Sequence, residues 1–275
     1  MRSTTAPAAT PSPVDYSCGQ NLCPFSDALY AKVLGRSGKI DLAPTIDIAN
    51  DPNKIRFEMS GLRELDSSGN ILGQGGNSKH SFNSFATQNF TFGTVQDSSY
   101  GGLGCVKVPF SSTLGAGSNI EIEIFIFEQF GTITVGPETF SVTNKTMKFN
   151  VKLFNWKWCG DVGISCTNDD GVGSALELDM EVSSNQQASE KTVGSHIYDM
   201  GGDAVMRLSR KVQVDSSWQD MPDDGPILTP AGSRKVKVTL KFPRFNSSLL
   251  YDPDITYCQG QGVAEQCQVT RNPDS

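Results

Sequence analysis

Histidine is scarce in this chain: 275 residues contain two, His80 and His196. That leaves little room for imidazole as general base, proton shuttle or metal ligand. No GxxxxGK[ST], strand-borne GxGxxG, HExxH or GxSxG sequence occurs. Phosphate cradles, zinc-peptidase helices and the hydrolase nucleophile elbow therefore lack their markers. His80 in GGNSKHSFNSF and His196 before IYDMGGD read as surface or packing residues. Charge is sparse at 19%, and 23 Lys plus Arg face 30 Asp plus Glu, for a net of −7. With no basic block, nucleic acid is excluded as a partner on electrostatic grounds. Long apolar runs are missing too. The densest, residues 120–127, is interrupted by Glu121 and Glu123 and falls short of the ~18 apolar residues that mark a membrane helix. At the N-terminus a single Arg is followed by no apolar core, so residues 1–15 are not a signal peptide. Residues 1–17 read as a disordered Ala/Pro/Ser/Thr segment, a propeptide remnant or the edge of an incomplete reading frame.

What the chain has in abundance is alternation. In residues 234–242 Val236, Val238, Leu240 and Phe242 face one way, with Lys235, Lys237, Thr239 and Lys241 opposite. Residues 176–182 set Leu176, Leu178, Met180 and Val182 against Glu177, Asp179 and Glu181. Residues 147–153 oppose Met147, Phe149, Val151 and Leu153 to Lys148, Asn150 and Lys152, and 120–126 oppose four Ile to Glu121, Glu123 and Phe125. This period of two marks antiparallel strands with one dry and one wet face. Further strands are expected at 40–48, 54–59, 90–95, 131–135 and 204–214. DSSGN joins 62–65 to 71–72 as a hairpin, and MPDDGP at 221–226 separates two runs in the same manner. The best helical segment is 26–34, with Ser26 as N-cap and Gly35 as C-cap. The expected fold is all-β: an antiparallel β-sandwich with long Gly/Asp/Asn-rich loops and at most one or two short helices. Residues 18–275 are read as one large domain, with 160–173 the alternative boundary. Lys148 and Lys152 could pair across that stretch with Glu177 and Glu181.

Six of the seven cysteines fall into close pairs: Cys18/Cys23, Cys159/Cys166 and Cys258/Cys267. No CxxC or zinc-ligand spacing occurs. Three short disulfide loops with Cys105 unpaired is the simplest reading, and seven reduced thiols in an intracellular protein is the other. Sequons stand at Asn89, Asn144 and Asn246. With 15 Asn and 49 Ser plus Thr in the chain, chance alone supplies about three, so they permit secretion without arguing for it. The segment CTNDDGVGSALE matches a twelve-residue calcium loop at Asn168, Asp170, Gly171 and Glu177, but Cys166 occupies the first ligand position and no helices flank it. It is no EF-hand. A looser Ca2+ site would draw on Asp161, Asp169 and Asp170, against the plainer reading of an acidic turn; no other cofactor is expected. Trp156 and Trp158 share parity with Phe154, which gives either a stacking platform for sugars or a second layer of core.

Two segments carry a resemblance. MKFNVKLFNWKWC at 147–159 ends a strand in an Asn-Trp corner, and FPRFNSSLLYDPD at 242–254 exits a strand through Phe-Pro into Tyr-Asp-Pro. Together they resemble an extracellular β-rich domain of uncharacterised cell-surface proteins of corals and other marine or unicellular eukaryotes, some of them in the coral skeletal organic matrix. In such proteins a membrane anchor often follows Tyr-Asp-Pro; here the sequence stops about twenty residues later, after Cys258 and Cys267, which leaves anchoring in doubt. The function expected is that of a secreted or surface-associated structural, adhesive, matrix-like protein without enzymatic activity. Its partners would be an extracellular protein, a glycan, divalent cations or a mineral surface. The competing reading is a secreted carbohydrate-binding or carbohydrate-active protein using Trp156, Trp158 and a carboxylate pair.

Overall fold

The alternating segments form two antiparallel sheets that face each other across one apolar core. In the structure, a computed structural model, the described residues are 15–35, 37–73, 81–82, 85, 88–114, 117–159, 171–184, 188–190, 196–201, 203–223 and 225–258. The first sheet runs, in spatial order, Ser17–Cys18, Asn21–Leu22, Tyr30–Leu34, Lys39–Ala43, Ile55–Asp66, Gly173–Ser183, Lys235–Pro243 and Ile227–Gly232. The second runs Ser189–Glu190, Ile197–Gly201, Ala204–Arg207, Asp254–Tyr257, Thr146–Phe154, Asn119–Phe127, Leu103–Thr113 and Thr91–Phe92. The inward positions are the apolar members of each alternation: Phe57, Leu178 and Leu240 from one side, Val108, Ile122 and Phe149 from the other. Phe57 and Phe149 meet across the gap with ring centroids 5.2 Å apart. This is a β-sandwich, and the described residues contain no α-helix.

Four expectations need correction. Residues 26–34 are not helical: Tyr30–Leu34 is a strand paired with Lys39–Ala43. Its five residues alternate half-buried and buried, and the ladder to Lys39–Ala43 overrides the helix propensity of Ala, Lys and Leu, which tertiary pairing routinely does. The 147–153 and 176–182 runs do not pair. They lie in opposite sheets, the first between Asn119–Phe127 and the segments Ser248–Tyr251 and Asp254–Tyr257, the second between Ile55–Asp66 and Lys235–Pro243. MPDDGP is a crossing rather than a hairpin, since Ser217–Asp220 belongs to the second sheet and Ile227–Gly232 to the first. Tyr16 and Ser17, expected in the N-terminal tail, are within the fold: Tyr16 is buried against Phe25, and Ser17 pairs with Leu22.

One of the first sheet's irregularities reorients the side chains of the Ile55–Asp66 strand. Asp179 pairs with Gly61, yet the next residue, Met180, pairs with Met59, so Ser60 is an extra residue in the Ile55–Asp66 strand. Such a bulge reverses the inward–outward phase. Before it Ile55, Phe57 and Met59 point inward; after it Leu62 and Glu64 are the buried ones.

Candidate functional site

The two tryptophans lie inside the protein. Trp156 and Trp158 are each 4% exposed and belong to the core, which removes the sugar-stacking platform. The cause is Asn155, which takes the left-handed conformation (φ 53°) at the end of the Thr146–Phe154 strand. Asn tolerates that region, and the turn breaks the parity shared with Phe154 and directs both indoles inward. There Trp156 serves a buried carboxylate. Trp156 Nε1 donates to Glu64 Oε2 at 3.0 Å, and the Cys159 backbone N–H donates to Oε1 at 2.7 Å. Trp158 Nε1 donates to the Phe245 carbonyl at 2.8 Å, and the Arg244 guanidinium lies 5.3 Å from the Trp158 ring. Arg244 also donates to the carbonyls of Gly171 and Gly173. This corner anchors both borders of the 160–170 connection. Cys166, Asp161, Asp169 and Asp170 fall within that connection, outside the described residues; His80 and Cys267 also lie outside the described residues.

The outward faces hold the strand-borne charge. On the first sheet Lys39 pairs with Glu58, Arg56 clasps Asp41 through two contacts at 2.5 and 2.7 Å, and Arg63 bridges Glu177 and Asp179. Lys237 reaches Asp179 at 2.8 Å, Lys235 reaches Glu181 at 3.0 Å, and Lys241 reaches Asp223. On the second sheet Lys152 holds Glu121 and Glu123, Lys107 also holds Glu123, Lys148 holds Asp252, Arg207 holds Asp254 and Lys211 holds Asp220. Burial raises the Glu123 pKa, but its hydrogen bonds from Lys107 and Lys152 outweigh that and hold it below the usual carboxylate range.

Among the described residues these pairs use eleven carboxylates and eleven cations, so they are charge-balanced. The whole excess of −7 is therefore carried by groups outside the ladder. Among the described residues the exposed carboxylates outside the ladder are Asp15, Asp27, Asp47, Asp97, Glu128, Asp199 and Asp203, on turns and short strands, and the exposed cations outside it are Lys157, Arg234 and Arg244. The carboxylates are dispersed: no three His, Cys, Asp or Glu side chains among the described residues converge as a metal site. An open groove of about 450 Å³ is lined by His196, Tyr198, Asp223 and Pro230. Its carboxylate, Asp223, is engaged by Lys241.

Asn89 and Asn246 are exposed outside regular strands and Asn144 is half-buried in a turn. Cys18 and Cys23 form a disulfide with a Cα–Cα distance of 5.9 Å. Cys159 and Cys258 are also disulfide-bonded. Cys105 is a free thiol and fully buried. Burial, with help from Glu128 and against Lys107, pushes its pKa up to about 11. The thiolate is the reactive form, so iodoacetamide at neutral pH leaves Cys105 unlabelled in the folded protein and labels it after denaturation. Native labelling at the rate of a free thiol would contradict this placement.

A family model of acidic skeletal organic matrix proteins matches residues 20–193 and 185–271. The chain belongs to that family. The match takes in both the Asn-Trp corner and the Phe-Pro/Tyr-Asp-Pro segment and extends over nearly all of the sandwich. By family this is a matrix-associated protein, and no helix of the described residues is long and apolar enough to cross a membrane.

Proposed function

We propose that the protein is a secreted, non-enzymatic structural component of an extracellular matrix that meets divalent cations or a mineral surface through its turns. The observation that carries this reading is the separation of its charge. Cations on both faces neutralise the strand carboxylates, while the exposed carboxylates outside the ladder project from turns and short strands. Charges that are already paired and hydrogen-bonded do not release their partners readily to an ion. Exposed single carboxylates bind Ca2+ weakly, as a diffuse counter-ion layer. The two exposed sequons, Asn89 and Asn246, are sterically open to glycans, which suits a secretory route.

Calcium titration at fixed ionic strength tests this. Binding is expected to be weak and multi-site, in the millimolar range typical of extracellular modules. Replacing Asp47, Asp97, Glu128 and Asp199 together with the corresponding amides reduces both calcium uptake and adsorption to calcium carbonate powder. Replacing the ladder carboxylates Glu58 and Glu181 does not. A single tight site, or adsorption indifferent to the turn substitutions, would sink the reading.

A further inference from the structure

The outer face of the second sheet holds a charged pair that is dry on every side. Lys148 is fully buried, and the Asp252 side chain is 3% exposed. A small hairpin, Gly131–Val135 with Glu138–Val142, covers them, packing Phe140, Ile133 and Val142 with Phe125, Phe127 and Cys105 into a second apolar cluster. Lys148 Nζ lies 4.2 Å from the Phe140 ring centroid and 5.8 Å from that of Tyr100. It is 2.6 Å from Asp252 Oδ1. Nζ donates its hydrogen bond to the Asp252 backbone carbonyl at 3.3 Å, and Oδ1 itself accepts none. Tyr100 Oη donates to the other oxygen, Oδ2, at 3.2 Å. Both backbones are fixed: Lys148 stands opposite Asp254 in the ladder, and Phe149 N–H donates to the Pro253 carbonyl at 3.1 Å. Asp254, the other carboxylate acting on both groups, is neutralised by Arg207, which stacks on the outer side of Phe140.

We propose that Lys148 and Asp252 join covalently, forming an intramolecular amide between Nζ and Cγ. The placement meets the requirements of a condensation between an amine and a carboxylic acid. The amine lone pair attacks Cγ and the C–N bond forms. Negative charge collects on Oδ2, where the Tyr100 hydroxyl already donates, in the manner of an oxyanion hole. Oδ1 already carries the proton of the neutral acid; a second proton passes to it from nitrogen, the Cγ–Oδ1 bond breaks, water leaves, and Oδ2 returns to a carbonyl oxygen. Nothing is oxidised or reduced, and no co-reactant is consumed.

Two further facts favour reaction over a permanent ion pair. Burial moves the Lys148 pKa down and the Asp252 pKa up, toward the neutral amine and neutral acid that condensation uses. An unreacted pair at this depth carries the desolvation cost of both charges, whereas an amide carries none of it. The bond would tie residues 104 apart in sequence, clamping the Asp254–Tyr257 strand to the middle of the sheet. The attacking and attacked atoms are held in contact by the fold itself, which is what makes an intramolecular reaction fast. The amide forms in the same way whether or not the protein meets cations or mineral.

Mass spectrometry of the full chain, made in a bacterial periplasm without glycans and fully reduced, decides it. The intact mass is expected to be lower than the sequence mass by one water. Trypsin then yields a branched peptide joining residues 146–152 to residues 245–271. Asp252→Ala restores the sequence mass, and Asp252→Asn loses one ammonia instead. Tyr100→Phe leaves an unreacted fraction visible in the intact spectrum. A wild-type mass equal to the sequence mass, with a linear peptide cleaved after Lys148, overturns the proposal. Because the wild-type chain alone gives that answer, a variant that fails to fold does not cloud it.

Discussion

Gly173→Ala destabilises the protein by roughly 3–5 kcal/mol, combining the cost of overpacking with that of stranding buried donors. A Cβ at this position would sit 1.8 Å from Glu64 Oε1 and 2.9 Å from the Trp158 ring, both inside any real contact distance. Glu64 has nowhere to go. It is fully buried, and its carboxylate accepts from the Trp156 indole and the Cys159 backbone. Moving it aside strands two buried donors; leaving it in place requires the Gly173 and Trp158 backbones to part. The substitution is read by chemical denaturation. A loss below about 1 kcal/mol would mean that the corner relaxes freely, against the packing seen there. A double-mutant cycle sharpens the test. Glu64→Ala is itself costly, but in its background Gly173→Ala loses the worse of its two clashes and keeps only the one with the Trp158 ring, so the two effects are non-additive.

The same corner marks the reach of sequence reasoning. Strands with strict alternation are legible from residues alone, because Val236, Val238, Leu240 and Phe242 need only a dry face and a wet one. Their partners are not. Lys148 and Glu177 look complementary, yet strand pairing is non-local, and each finds an opposite charge on another strand: Asp252 and Arg63. Glu64 is invisible as a buried acid because Ser60 shifts the phase of its strand, and a bulge leaves no mark in composition. Lys148 reads as a wet residue for a related reason. Its strand does turn it to the outer face, but the hairpin of Gly131–Val135 and Glu138–Val142 covers that face. A signal for the cover is present: Phe125 and Cys105 are apolar where neighbouring Glu121, Glu123 and Lys107 are charged. Parity groups the tryptophans with Phe154, and parity ends at the left-handed Asn155. The matrix neighbourhood is legible because its two marker segments form strand exits at one end of the sandwich, where Trp158 and Phe245 touch with centroids 5.6 Å apart.

Asp179→Ala costs about 2–3 kcal/mol, the range for hydrogen bonds to a charged group, while Glu181→Ala, two residues along the same face, stays within about 1 kcal/mol. The difference lies in what each carboxylate holds. Asp179 has a side chain only 5% exposed and ties three strands: Arg63 from one neighbour, Lys237 at 2.8 Å and the Thr239 hydroxyl at 2.8 Å from the other. Glu181 is 36% exposed and meets a single lysine, Lys235, itself 51% exposed. Denaturant midpoints measured at about 0.1 and 1 M NaCl separate the two, since screening shortens the Debye length from ~10 to ~3 Å and reaches exposed pairs first. High salt erases the Glu181 effect and leaves most of the Asp179 effect. Equal losses at both positions would mean that the ladder acts as one diffuse field rather than as individual bridges. The same comparison bears on mineral contact. A carboxylate whose removal costs the fold this much is committed to the sheet, which is why the proposed function assigns the meeting with calcium to carboxylates outside the ladder.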